Sequence, residues 1–336
     1  MTRHLRAIAV AVVTIVVGAF VAGCGAPNAV LGIREPPKAN AASAPLTVDL
    51  ASRILTRSFT AAQQGDGTKG VRGQAALRTA YTGEALRAAK ARVTLQALQP
   101  AGAGSALLAP QQPRLLALSR GFGFPRVMVA QTVGAKGSLP VLHLLTSPQA
   151  ATPYRIFASA TMLPSSSVKP FHPLSQGSPL VVDGGGLAVS GDALLKAYAA
   201  GMTFPGKVAT NSPFAADRFS AQVRARAAAV AKDVAIQAKF SQLHKVVPNS
   251  VYAVRQSNGD ALVFGVMART DSVTVKKGQA VNTAANKEFV LLSGKKRVTR
   301  SASITTLEFV VFVVPREKGL ARLVAASEQV VAASGS

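Results

Sequence analysis

The sequence predicts an α+β protein of two tandem units, each with helices packed on one face of a curved antiparallel sheet. Three observations carry that prediction. Apolar residues recur at helical spacing early in each half. Short β-like runs bounded by Gly, Pro and Ser then follow, and the tail of the first half is echoed by the tail of the second. The units span residues 46–182 and 187–333, and Asp183-Gly184-Gly185-Gly186, after a proline-rich stretch, is the hinge between them.

The chain begins with a segment that is not part of either unit. Arg3 and Arg6 form a positive start, and Ala7 to Phe20 is almost purely Ala, Val, Ile, Thr and Gly. Small residues then lead to the chain's single cysteine in Val21-Ala22-Gly23-Cys24. This is the layout of a secretory signal over residues 1–23, and its last four residues match the lipobox of bacterial lipoproteins, whose cysteine receives a diacylglyceryl thioether. The run from Ala7 to Gly23 covers 17 residues, short of the ~20 a spanning helix needs. Residues 24–45, rich in Ala, Pro and Asn with Pro36-Pro37 in the middle, read as a lipidated tether.

In the first unit Thr47 is placed to cap a helix over Val48–Gln64, with Ala51, Leu55 and Phe59 as its apolar stripe and Gly65-Asp66-Gly67 as its stop. A second helical stretch, Gln74–Leu98, is interrupted near Thr82-Gly83. Strands are expected at Arg126–Val133, Leu139–Leu145 and Tyr154–Met162. In the second unit helices are expected over Asp192–Ala200 and Asp217–Leu243. A hairpin joins Val251–Gln256 to Ala261–Met267 through Ser257-Asn258-Gly259-Asp260, where Asn-Gly suits a type I′ turn. Further strands are expected at Glu288–Leu292, Thr299–Val314 and Ala321–Val331. The end of the first unit, Leu139–Leu145 followed by Arg155–Ser159, aligns in order and spacing with Phe309–Val314 and Arg322–Ser327.

The chain has 336 residues, 49% of them hydrophobic, which excludes a wholly disordered protein. It has no tryptophan, so its core must rely on Val, Leu, Ala and Phe; its lone cysteine excludes a disulfide within the monomer. Its 38 Lys+Arg outnumber 14 Asp+Glu, a net charge of +24; losing Arg3 and Arg6 with the signal leaves +22. Such a surplus either draws the protein to anionic lipid headgroups or acidic wall polymers, or is generic basicity spread over solvated faces. Nucleic acid is not an expected partner outside the cytoplasm. The local basic cluster is Lys295, Lys296, Arg297 and Arg300, echoed by Lys276-Lys277. These fall in turns beside strands, where they serve either as an anion contact or as solvated charge that keeps an edge strand from aggregating.

No pattern of catalytic residues emerges. There is no Gly-x-Ser-x-Gly elbow, and the only cysteine is destined for lipid. His143, His172 and His244 stand apart from one another and from acids in the sequence, without metal-ligand spacing. His143, within an apolar strand, reads as a core histidine with its hydrogen bonds satisfied. Asp49, Asp192 and Asp217 sit at helix starts, where capping and the helix dipole account for them. Neither Gly-x-Gly-x-x-Gly nor a Walker loop is present. The sequence therefore calls for no catalytic residues, no metal and no cofactor.

Several short motifs resemble an uncharacterised family of actinobacterial lipoproteins, a domain of unknown function found behind a lipobox. They are Tyr81-Thr82-Gly83-Glu84-Ala85-Leu86, Phe124-Pro125-Arg126, Leu187 through Tyr198, Leu307 through Pro315, and Ala325-Ala326-Ser327. The resemblance covers most of residues 46–333 and implies units like the cystatin-like fold of the NTF2-like superfamily, a cone with a pocket between helix and sheet. The functional expectation is a membrane-anchored, extracytoplasmic, non-catalytic binding or scaffold module of the cell envelope, held to membrane lipid through Cys24. The alternative is a hydrolase or isomerase acting on a small molecule in an NTF2-like pocket. An acid and a histidine or tyrosine converging in a cavity would favour the enzyme.

Overall fold

A computed structural model describes residues 42–68, 70–98, 113–134, 138–207 and 209–336. Three helices open the described chain: α1 (Val48–Gly67), α2 (Gly70–Ala80) and α3 (Gly83–Leu95). The Thr47 hydroxyl caps α1 by accepting from Leu50 N, and Ala51, Leu55, Phe59 and Ala62 form its buried stripe. Thr82 is extended and Gly83 takes φ +54, so the helical stretch breaks there. The break is used: Thr82 N bonds the Ile156 carbonyl at 3.0 Å, clipping the helices to a sheet.

That first sheet is an antiparallel meander of β1 (Arg114–Leu118), β2 (Arg126–Thr132), β3 (Val141–Ser147) and β4 (Arg155–Thr161), in chain order. Every residue of β3 is buried, His143 among them. Its ring bonds Thr132 Oγ1 through Nε2 and Ser159 Oγ through Nδ1, both at 2.8 Å, and Phe59 of α1 packs edge-on against it. It is the hydrogen-bonded core histidine that its apolar strand implied.

A turn follows, with Asp183, Gly184 and Gly186 at positive φ. Then come α4 (Gly191–Met202) and α5 (Arg218–Val234), capped by Ser190 and Asp217. The second sheet contains β5 (Ala238–Val246), β6 (Tyr252–Arg255), β7 (Ala261–Val275), β10 (Ser301–Val314) and β11 (Arg322–Gly335). Its order is β11-β10-β7-β5, with β6 also on β7. Between β7 and β10 lie the short pair β8 (Val281–Asn282) and β9 (Arg297–Val298), and α6 (Lys287–Ser293). The protein is thus α+β, with two roughly tandem helix–sheet units. The aligned tails are its hairpins β3–β4 and β10–β11.

The second sheet is covered on both faces. Val263, Met267, Val310 and Phe312 pack under α4 and α5 against Leu194, Leu195 and Tyr198. On the opposite face Phe264, Val266, Phe309 and Val311 share a core with α1, α2, α3 and the first sheet. Covered strands of this kind read as unbroken apolar runs, as Leu307–Val314 does apart from Glu308. At the seam, Leu163 N bonds the Val324 carbonyl at 2.8 Å and Thr161 N bonds Ser327 Oγ at 3.0 Å.

This arrangement corrects the expected curved, NTF2-like sheet: no sheet closes into a barrel or curls strongly. With apolar packing on both faces, the second sheet lies between two cores instead of wrapping around a pocket. Three local expectations also change. The helix expected over Asp217–Leu243 ends at Val234, and after a turn over 235–237 the chain enters β5 at Ala238. Glu288–Leu292 belongs to α6, whose start Asn286 caps by accepting from Phe289 N and whose end is Gly294 in the left-handed conformation. In the 257–260 loop only Gly259 takes positive φ, and its N–H bonds the Gln256 carbonyl. This is a type I turn followed by a bulge glycine, in place of type I′.

Gly265 marks where β7 passes closest to α4. A Cβ built there would lie 2.0 Å from Leu195 Cδ2, inside a fully buried side chain. Gly265→Val should therefore destabilise the fold by about 1–3 kcal/mol through overpacking. Leu195→Ala should relieve part of that cost in the double variant, as read by urea denaturation. Purely additive losses would show that the two residues do not compete for this space.

Candidate functional site

Across β5, β7 and β10 the ladder register sets His244, Arg269 and Thr306 side by side. Met267 of β7 pairs with Glu308, and Glu308 in turn pairs with Glu328 of β11. Because side chains alternate along a strand, these positions and Asp271 share the face that packs under α4 and α5. The result is a charged row embedded beside an apolar core.

Arg269 is its centre. Its Nη1 donates to Glu308 Oε1 and to Glu328 Oε2, each at 2.9 Å, its Nε to Asp271 Oδ2 at 3.2 Å, and its Nη2 to Thr306 Oγ1 at 3.3 Å. Arg226 reaches down from α5 and grips Glu328 with both Nη atoms, at 2.6 and 2.9 Å. His244 Nε2 lies 3.4 Å from Glu308 Oε1, and both side chains are fully buried. Asp271 Oδ1, Glu308 Oε2 and both His244 ring nitrogens are buried without a hydrogen-bond partner among the described residues.

The electrostatics follow from burial and pairing. Burial pushes the Asp271 carboxyl up, against the pull of Arg269. Burial pushes Glu328 up as well, but the Arg226 hydrogen bond and the two arginine charges outweigh it and hold that carboxyl below its usual value. For Arg269, burial opposes the charge, while Asp271, Glu308 and Glu328 more than restore it and raise its pKa.

The row ends in a cavity of about 280 Å³ beneath α5, where Arg226, Arg269 and Asp271 meet apolar walls from Val223, Phe240 and Phe289. Arg269 and Asn286 also line an outer cleft of about 580 Å³, with Arg92, Lys287 and Glu328. Arg92 carries the polar chain onward, bonding Asp66 Oδ1 at 2.9 Å and the Tyr81 hydroxyl at 3.2 Å. Burial pushes the Tyr81 hydroxyl up to about 12. A groove of about 590 Å³ elsewhere, lined by Ser165, Ser166, Ser167 and Arg322, is larger. Its one carboxylate, Asp217, already caps α5 and accepts from Tyr198, which makes it the weaker candidate.

The sequence reading and this site overlap little. Val21, Ala22, Gly23 and Cys24 lie outside the described residues. Lys295, Lys296, Arg297 and Arg300 are all exposed; the bond from Val275 N to the Arg300 carbonyl sets Arg300 beside Lys276, while Lys295, Lys296 and Arg297 lie along Asn282 and Thr283. They do not reach the cavity. His244 is not isolated from acids as its sequence neighbours suggested, and Asp271, Glu308 and Glu328 converge although they are far apart in the chain. The available signal was charge within apolar strands, Arg269 and Asp271 in β7 and Glu308 in β10. Among the described residues no group of three His, Cys, Asp or Glu could hold a metal ion.

One family model, described as a domain of unknown function, DUF8094, matches residues 123–335. No curated protein and no solved structure matches the chain. The matched region holds the charged row, the cavity and every strand from β2 to β11, and it is more than half of the sequence: the chain belongs to the DUF8094 family.

Proposed function

We propose that this protein is a lipid-anchored, extracytoplasmic binding module that holds a small molecule in the cavity under α5 and performs no chemistry on it. The observation that carries the binding reading is the cavity itself: apolar walls closing on a few fixed polar groups, the usual composition of a ligand site. Asp271 lines it, but His244 lies one strand away and neither a histidine nor a tyrosine is in the lining, so the pairing of an acid with either, expected of an enzyme, does not occur there. An acid and a tyrosine, Asp217 and Tyr198, do meet in a neighbouring cavity of about 310 Å³, where the carboxylate is held as the cap of α5. Arg269 is engaged by three carboxylates, which makes it a fixed recognition group.

The neutral probe n-hexanol tests this reading by saturation-transfer NMR. It should bind the wild type, and Ala227→Phe, which fills the cavity from α5, should abolish the signal. Hexanol binding that survives Ala227→Phe would place it elsewhere and sink the proposal.

The anchor is supported by Arg3 and Arg6, the apolar run and the Val21-Ala22-Gly23-Cys24 tetrapeptide. Two acyl chains anchor stably where one is marginal, each buried CH₂ contributing ~0.8 kcal/mol. Cys24→Ala should release the protein from the membrane fraction and abolish incorporation of labelled fatty acid. An unmodified Cys24 in mature wild-type protein, read by intact mass, would overturn this. The exposed Lys295, Lys296, Arg297 and Arg300 would then face anionic headgroups or acidic wall polymer.

A further inference from the structure

We propose that the ligand of the cavity under α5 is a small primary amine with an apolar tail, its ammonium group meeting the Asp271 carboxylate. The inference rests on the binding reading above and deepens it. Three observations lead to it.

The first is the local charge. Asp271, Glu308 and Glu328 are matched by the guanidinium groups of Arg269 and Arg226 alone, three carboxylates to two cations. In a chain of net charge +24 this is an inversion. The set is one positive charge short unless His244, behind Glu308, takes a proton. Buried charges need partners, and the cavity is the side from which a third cation can come.

The second is the direction of the hydrogen bonds. Arg269 already directs Nε, Nη1 and Nη2 at protein acceptors, and Arg226 directs both Nη atoms at Glu328. An incoming anion would find one N–H of Arg269 and three of Arg226 unspent, but it would enter beside three carboxylates that already outnumber these two cations. Asp271, by contrast, receives a hydrogen bond on Oδ2 only; its Oδ1 is buried without a partner, and an ammonium group reaches it as the carboxylate turns toward the cavity. Gln242 pairs with Asp271 across the β5–β7 ladder and lines the same cavity. Its Nε2 donates to the Met202 carbonyl, which leaves Oε1 as an acceptor. The polar end therefore offers acceptors from two adjacent strands, the complement of an ammonium group with its three donors.

The third is the shape of the remainder. Val223, Val230, Phe240, Val273, Phe289 and Ile304 wall the cavity, and its 280 Å³ suits a short hydrocarbon chain or single ring. A polyamine would bring a second charge into a lining whose only carboxylate is Asp271, leaving that charge without an anionic partner.

The experiment ranks three probes of one length, n-hexylamine, n-hexanol and n-hexanoate, by ligand-observed NMR titration of the mature protein near neutral pH. A charge-assisted hydrogen bond contributes enough to separate amine from alcohol by about tenfold, so hexylamine should bind at least that much tighter than hexanol, and hexanoate weaker than both. Asp271→Asn keeps the shape and should erase the preference for amine over alcohol. Hexanoate binding as tightly as hexylamine, or a preference that survives Asp271→Asn, would overturn the inference. Should that variant fail to fold, the wild-type ranking decides by itself. Hexanol binding that Ala227→Phe blocks, without any amine preference, would remove the amine and leave the binding reading standing. No binding by any of the three would remove both.

Discussion

Arg269→Met should cost the fold about 3–5 kcal/mol, because removing one partner of a buried ion pair leaves the other charge uncompensated. The methionine fills much of the space of the arginine stem, so lost packing is a minor part of the effect. What remains is Glu308, fully buried, and Asp271, both without their main cation. Glu328 keeps Arg226 and is the least affected. The deficit, measured by urea denaturation, should be largest above neutral pH and shrink on acidification, since a carboxylate that takes up a proton no longer needs a cation. Arg269→Met combined with Glu308→Gln should recover part of the loss, the signature of two residues in one network. A single variant within about 1 kcal/mol of wild type would mean that His244 or solvent already satisfies Glu308.

The second large effect is acid sensitivity set by His143. Burial lowers its pKa from 6.5 to about 3, so the folded protein keeps the ring neutral while the unfolded chain takes up a proton. A neutral ring accepts at one nitrogen and donates at the other, which suits a site between two hydroxyl groups, Thr132 and Ser159. The contribution is fully present above pH 6.5 and is lost as pH falls toward 3, at about 1.4 kcal/mol per pH unit. Between pH 7 and pH 4.5 this one residue should remove roughly 2–3 kcal/mol of stability. His143→Gln, able to bond both hydroxyls but unable to titrate, should flatten that part of the profile. Parallel urea midpoints for wild type and variant over the same range would refute the assignment.

How much of this could be read beforehand depended on whether inward-facing residues were apolar. The stripe of α1 and the strands β2, β3, β4, β7, β10 and β11 announce themselves because most of their buried positions are Val, Leu, Ile, Ala, Met and Phe. The strand β5 does not. Its buried positions include Gln242 and His244, while Leu243 between them is 44% exposed, so its apolar pattern runs opposite to its burial. A helix of seven residues, α6, is too short for its period to show. The candidate site was hidden for the same reason as β5, since polar residues facing inward carry no periodic signal. It also draws on positions from Arg226 to Glu328, which only the sheet register brings together. The curved-sheet expectation failed at a different level. A curved sheet gives each unit its own interior, whereas the apolar runs of β7 and β10 supply surface for two cores at once.

That shared wall also orders events in time. The helix α3 packs on β4 of the first sheet and on β11 of the second, so Ala85, Ala88 and Ala89 complete their burial only when the last strand is made. During synthesis, at ~5–20 residues per second, α3 waits on the order of tens of seconds for that strand. Through that interval its apolar stripe is open to chaperones and to proteases. Contacts this distant in sequence also make closure intrinsically slow. A chain cut at the 183–186 turn would keep Phe59 of α1 on His143 of the first sheet but leave α3 in that waiting state, the strand it requires never delivered.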